Sequence, residues 1–315
     1  MKQTTRGVSA LPGKILSTWN KRKTIGPSYA LVLPFMAILI AGVVLPLCAI
    51  ALASISAAQE WGGVQWGSFN VDAYVRIFFE QDLDGSWAPN AGFGIVIIRT
   101  LLLSVLATLI CLVLGFPAAL YIAMQPAQRR TWLILLITVP FWTSLVVRLY
   151  AWILLLRDGG VLADAFAAVS GVNIPSVLYT DTATIIGLAY AFIPFMVIPI
   201  FTSLEHMTWD IVDAAFDLGA TPFTVVTRII APLASRGILS GCVLVMVSSL
   251  GAYLIPDLLG GAKSMMLGNL VNLQFGDAHD WPLGAALSLV TCALVLLALR
   301  ARRTIERSVT GVRHV

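Results

Sequence analysis

The chain has 315 residues, of which 58% are hydrophobic and 11% charged, with a mean hydropathy of +0.89. A soluble domain carries about 25% charged residues, so these proportions exclude an ordinary soluble or disordered protein and indicate a chain that crosses a membrane several times. The net charge of +4 says less than where the basic residues fall, and it does not require a nucleic-acid partner.

A span of the bilayer needs about 20 mostly apolar residues, since each residue of a helix rises about 1.5 Å across a core of about 30 Å. Six stretches qualify in chain order: Tyr29–Leu52, Thr100–Met124, Thr131–Leu156, Thr182–Leu204, Gly237–Pro256 and Trp281–Leu299. Helices are expected, because a spanning segment must satisfy its own backbone. The first stretch follows a basic segment and ends in Ser54-Ile55-Ser56-Ala57-Ala58, which has some cleavage-site character. A signal core runs only about 7–15 residues, so an uncleaved span is expected. Pro34, Pro46, Pro117, Pro140, Pro194 and Pro199 fall inside the stretches. They are expected as kinks for packing, with flexing points as the alternative. Cys48, Cys111, Cys242 and Cys292 also fall inside and are expected to be small buried apolar residues.

Six spans put both termini on one side. Residues 1–28 carry Lys2, Arg6, Lys14, Lys21, Arg22 and Lys23, and the tail 300–315 carries Arg300, Arg302, Arg303, Arg307 and Arg313. The loops on that side add Arg129, Arg130, Arg228 and Arg236, while the opposite side holds Arg76, Arg99, Arg157 and Lys263. This bias predicts cytoplasmic termini. The opposite loops hold eleven acids, including Asp158, Asp181, Asp257 and Asp280. That excess would attract cations, although sorting of basic residues to the inside produces part of it.

No catalytic constellation is visible. His206, His279 and His314 are scattered outside the spans, and neither a His-Glu-x-x-His zinc motif nor a Gly-x-Ser-x-Gly elbow occurs. Gly260-Gly261-Ala262-Lys263-Ser264 is only weakly like a phosphate loop, because Ala262 stands where that loop needs glycine. The chain is therefore expected not to be an enzyme and to hold no metal or cofactor itself.

The segment 205–236 between the fourth and fifth spans is long for a connector. Asp210 is expected to cap a short helix whose Ile211, Ala214, Ala215 and Leu218 share a face. Gly219 is expected to end it. Thr221-Pro222 should then open a second helix over Phe223–Ile230 that stops at Pro232.

The pattern Asp213-Ala214-Ala215-x-x-x-Gly219, nine residues, then Ile229-x-Ala231-Pro232 resembles the EAA loop of ABC-importer permeases. Asp213 stands for the family's glutamate and Ala231 for its leucine. Segments Pro140–Trp152, Pro256–Lys263 with Gly268-Asn269-Leu270, and Asp280–Ser288 are similar to permeases for spermidine and putrescine. The resemblance implies an all-α bundle of six transmembrane helices of the type I importer class over residues 29–299, in a bacterial inner membrane. It implies a second homologous permease subunit, two ATPase subunits that use ATP and Mg, and a periplasmic solute-binding protein as partners, besides membrane lipid. It assigns ATPase coupling to Asp213, Ala214, Ala215, Gly219 and Pro232, and solute movement to alternating access.

Arg148 is the one charge inside a predicted span, and such residues usually pair or line a cavity. Pairing with Asp257 is expected near Trp142, Tyr150, Trp152 and Tyr253, as a solute path or outer gate. The alternative is that Arg148 snorkels outward on its own. Two other functions stay open: a permease of the same branch for another small polar solute such as an amino-acid derivative, and a secondary transporter without an ATPase. An intramembrane enzyme is disfavoured by the lack of a catalytic pair.

Overall fold

The computed structural model describes residues 29–59, 62–81, 87–161, 164 and 176–311. The chain forms two units, Met1–Ala49 and Ile50–Val315, each described by itself. The first contributes most of helix α1 (Tyr29–Ser54), apolar throughout and containing Pro34 and Pro46. The second holds two small antiparallel hairpins, β1 (Ser56–Ala58) with β2 (Val64–Phe69) and β3 (Phe79–Gln81) with β4 (Trp87–Pro89), separated by α2 (Asp72–Phe78). The remaining described elements are helical: α3 (Ala91–Ala123), α4 (Ala127–Thr138), α5 (Leu145–Leu156), α6 (Asp181–Glu205), α7 (Asp210–Asp217), α8 (Pro222–Val225), α9 (Ala231–Leu233), α10 (Ser235–Leu250), α11 (Leu267–Phe275) and α12 (Trp281–Gly311). The fold is that of an all-α membrane protein.

Among the described residues four helices are long and apolar enough to cross a membrane: Pro34–Ser54, Ala91–Ala123, Asp181–Glu205 and Trp281–Arg300. Two bent pairs raise the number to six if each is one span: Ala127–Trp142 with Leu145–Leu156, at 91°, and Pro222–Leu233 with Ser235–Leu250, at 72°. The stretch Thr131–Leu156 is thus not the single continuous helix its hydropathy predicts. A 3-10 turn at Val139–Trp142 ends the first half, and Thr143 and Ser144 are extended. Pro140 supplies no N–H to carry the helix on, and the Thr143 hydroxyl donates to the Pro140 carbonyl at 2.8 Å, closing the turn locally. Pro117, Pro194 and Pro199 lie inside unbroken helices instead.

Local chemistry sets several helix starts. Asn90 accepts from the Phe93 N–H to cap α3, and Thr180 accepts from the Ala183 N–H to cap α6, each at 3.3 Å. Asp280 does the same for α12 through the Leu283 N–H at 3.2 Å, and its other oxygen takes an ion pair from Arg76 at 2.8 Å.

The centre of the bundle is the crossing of α3, α6 and α10. Met196 of α6, fully buried, lies between Gly115 of α3 and Gly241 of α10. Ala119, Ala189, Ile200, Leu204 and Val245 complete this layer. Small residues let helices approach closely where lipid removes the usual hydrophobic drive. Cys111 is buried here and weakly donates to the Ala189 carbonyl at 3.4 Å, whereas Cys48 on α1 and Cys292 on α12 are exposed, against the expectation that all four are buried.

Arg130 ties the α3–α4 turn to the end of α6. Its guanidinium donates to the Ala123 carbonyl at 3.0 Å, pairs with Glu205 at 3.1 Å and lies over the Phe201 ring at 5.8 Å. The Ala123 carbonyl is one of the groups the helix end leaves unsatisfied. Arg130→Ala is expected to destabilise the protein by about 1–3 kcal/mol. Glu205→Ala, which removes only the half-exposed ion pair, is expected to cost under about 1 kcal/mol. Thermal unfolding of the two variants in detergent checks the order.

Candidate functional site

The loop after α6 folds as two short helices around a tight turn. α7 ends in a complete Schellman closure: the Ala220 N–H donates to the Ala215 carbonyl at 3.0 Å and the Gly219 N–H to the Phe216 carbonyl at 2.9 Å. Gly219 has φ +82, the left-handed conformation this closure needs. Thr221 then caps the next helix through the Thr224 N–H at 3.3 Å, with Pro222 at its first position.

Three details depart from the sequence expectation. Asp210 does not cap α7; Trp209 is the cap residue and is already helical, so Asp210 and Asp213 both lie in the first turn, where the helix dipole favours acids. The following helix does not stop before Pro232. It runs over Pro222–Leu233, and a π-helical turn, Val226–Ile230, absorbs the proline. The Ala231 N–H reaches back five residues to the Val226 carbonyl. This widened turn accommodates a ring that cannot donate to the Arg228 carbonyl. Finally, the apolar residues of α7 split between two faces. Val212 is buried and Ala215 half-buried against the α3–α6–α10 core, together with Val225. Ile211, Ala214 and Leu218, spaced three and four apart, are exposed, with Leu218 89% so. Phe223, the second residue of α8, is 78% exposed. Asp213, Gly219 and Pro232 are exposed as well. The loop therefore presents a small apolar surface, edged by acids, on a helix anchored to the bundle core.

The second group of expected residues is only partly assembled. Arg148 is not ion-paired with Asp257, and it does not snorkel free. Its guanidinium carbon lies 5.4 Å from the Phe141 ring centre and 5.8 Å from that of Tyr190, and its Nε is buried without a partner. Asp257 sits exposed in a π-helical turn, Pro256–Gly260, and its Oδ1 accepts from the Asn269 amide at 3.4 Å. The same amide donates to the Tyr253 carbonyl at 2.9 Å, so Asn269 joins Tyr253 to Asp257. Trp142 and Tyr150 are exposed, and Trp152 meets Tyr190 edge-on at 5.4 Å.

Tyr253 also lines a cleft of about 340 Å³ between the end of α10, α11 and α12, with Gly251, Gly268, Val271, Asn272, Phe275, Ser288 and Thr291. The Ser288 and Thr291 hydroxyls donate to their own helix, to the Gly284 and Leu287 carbonyls at 2.8 and 2.9 Å. Their protons are therefore used internally and their oxygens are left as acceptors. Asn272, Ser288 and Thr291 have a signal in the sequence that hydropathy overlooks. Asn269 with Asn272, and Ser288 with Thr291, are polar pairs three residues apart on apolar helices.

No family model matches the chain. The chain is 38% identical over 222 residues to the spermidine/putrescine transport system permease protein PotB of Salmonella typhimurium (strain SL1344), covering 69% of this chain and 77% of that protein. It is 38% identical over 219 residues to PotB of Escherichia coli (strain K12), covering 68% of this chain and 80% of that one. Its backbone superposes with a TM-score of 0.70 on a subunit of a bacterial alginate ABC transporter solved with a periplasmic protein that carries an alginate pentasaccharide. That match covers 90% of this chain and 94% of the other at 17% identity, which establishes a shared fold. By sequence and fold together, the chain belongs to the PotB family of ABC-transporter permeases.

Proposed function

We propose that the chain is one membrane subunit of an ATP-driven importer of polyamines in a bacterial inner membrane, with both termini in the cytoplasm. It pairs with a second, homologous permease, two ATPase subunits that hydrolyse ATP with Mg, and a periplasmic solute-binding protein. The observation that carries the coupling half of this reading is the exposed Ile211–Ala214–Leu218 face on α7. A helix that turns apolar residues away from its own core, outside the long spans, suits a partner subunit better than water or lipid. Its inner face, Val212 and Ala215, is packed on the core around Met196. A push on α7 therefore reaches the α3–α6–α10 crossing directly, and alternating access follows when that crossing shifts.

The solute half rests on the spermidine/putrescine relatives at 38% identity and is supported by the chemistry of the cleft. A polyamine offers ammonium donors separated by methylene groups. The cleft offers acceptor oxygens on Asn272, Ser288 and Thr291 beside the Phe275 and Tyr253 rings. Asp257 adds a carboxylate near its rim through Asn269. The test is to purify the full complex by a tag on this chain, reconstitute it in vesicles with the binding protein, and follow labelled putrescine and spermidine. ATP-dependent uptake of either is expected, with no uptake when the ATPase subunits are omitted. Uptake that persists without them would make the chain a secondary transporter, and uptake restricted to an amino-acid derivative would move it to another solute of the same branch.

A further inference from the structure

The Arg148 guanidinium lies over two aromatic faces with no carboxylate beside it. Both distances fall within the roughly 6 Å reach of a cation–π contact. No ion pair to Arg148 occurs among the described residues, and the buried Nε has no hydrogen-bond acceptor. The Phe141 and Tyr190 rings are therefore the groups seen to hold this charge. They belong to a larger aromatic set. Phe141 meets Phe195 in a T-shaped contact at 5.3 Å, Phe192 stacks on Phe195 at 6.0 Å, and Trp152 meets Tyr190 in a T-shaped contact at 5.4 Å.

We propose that the faces of Phe141 and Tyr190 form a cation site for an ammonium group of the cargo, filled at rest by the chain's own Arg148, which the cargo displaces as it passes. The bound guanidinium is itself the evidence that the two faces accept a cation. An alkylammonium satisfies the same rings, and the methylene chain behind it can lie on Phe192 and Phe195. Two positive charges cannot share the faces, so occupancy is exclusive: Arg148 must leave for the cargo to enter. The geometry gives that exchange a structural consequence. Phe141 precedes the 91° break between α4 and α5, Arg148 follows it, and Tyr190 is on α6. The Arg148 cation thus bridges the break and ties it to α6. Replacing it with a mobile cation removes that bridge. The identity of the cargo rests on the polyamine reading above; the cation site itself does not.

The experiment uses the purified complex carrying Arg148→Gln, with methylguanidinium and putrescine as probes. Thermal unfolding of Arg148→Gln is expected to rise by about 2–4 °C with either cation at millimolar concentration, against a smaller rise in the wild type, where the cation must first displace Arg148. Adding Tyr190→Leu should abolish the rise. In vesicles, loss of the tethered competitor should lower the KM for putrescine by about 3- to 30-fold, the range a single cation–π contact supplies, with a smaller change in maximal rate. Absence of the thermal rise, or the same rise with Tyr190→Leu present, overturns the proposal. Should Arg148→Gln fail to assemble, Arg148→Met, which keeps an apolar stem and removes the charge, takes its place: the same thermal rise and the same fall in KM are expected, and the absence of both overturns the proposal. If wild-type vesicles take up no polyamine, the polyamine reading fails, while the methylguanidinium arm still decides the cation site.

Discussion

Valine at position 219 is expected to leave the complex assembled but to cut ATP-driven uptake by about tenfold or more. The reason is conformational rather than steric. A Cβ at Gly219 would meet nothing within 4 Å, so the space is open, but φ is +82. An L residue held there costs about 1–2 kcal/mol, and a β-branched one is worse placed still. The chain can relieve that strain only by giving up the Schellman closure, in which Gly219 and Ala220 donate to the carbonyls of Phe216 and Ala215. α7 has eight residues, so unwinding its last turn displaces Ala214 and Leu218, two of the three residues of the exposed face that we assign to the ATPase. A cost of about 1.4 kcal/mol is a factor of ten in an equilibrium, which sets the expected loss. Asparagine tolerates this region better, so Gly219→Asn should fall between valine and the wild type. Co-purification of the ATPase with each variant, followed by uptake and ATP turnover, gives the reading. Valine with undiminished uptake would remove α7 from the coupling path.

That turn was legible in the sequence because its chemistry is local. Gly219, Thr221 and Pro222 act through hydrogen bonds and dihedral limits within a few residues, and so the fold keeps what the spacing implies. The faces of α7 were not legible in the same way. Apolar residues occupy both sides, and only the core beneath decides that Val212 goes in while Ile211 and Leu218 stay out. The prolines make the same point. Pro117, Pro194, Pro199 and Pro140 look alike in a hydropathy reading, yet only Pro140 breaks its helix, because Thr143 closes a turn onto its carbonyl. Arg148 was recognisable as a charge needing a partner, but a search for the partner among carboxylates misses it. The rings of Phe141 and Tyr190 are brought to it from seven and forty-two residues away by the break and by α6. Tertiary neighbours of that kind leave no periodic trace.

The larger loss of stability is expected from Gly237→Ala, where propensity and packing predict opposite signs. Gly237 lies near the start of α10, and alanine in a helix is favoured over glycine by about 1 kcal/mol. On that ground alone the substitution would stabilise. A Cβ at this position, however, would lie 2.5 Å from the Pro199 carbonyl oxygen, 2.6 Å from the Ser203 Cβ and 3.0 Å from the Ile200 Cα. Two of those three atoms are backbone of α6 and cannot rotate aside. The helices must therefore part along the α6–α10 crossing, which also loosens Gly241, whose own Cβ position is 2.8 Å from the Met196 sulfur. Overpacking usually costs about 1–3 kcal/mol where side chains can yield. Here they cannot, so about 3 kcal/mol or more is expected, enough to depress both the thermal midpoint and the yield of assembled complex. Gly94→Ala is the matched control. Gly94 is helical in α3 with nothing within 4 Å of its Cβ position, so propensity alone acts and the variant should gain about 0.5–1 kcal/mol. If Gly237→Ala unfolds at the same temperature as Gly94→Ala, the close approach of α6 and α10 is not what holds the bundle, and a shift of that crossing cannot be the step by which α7 moves the solute path.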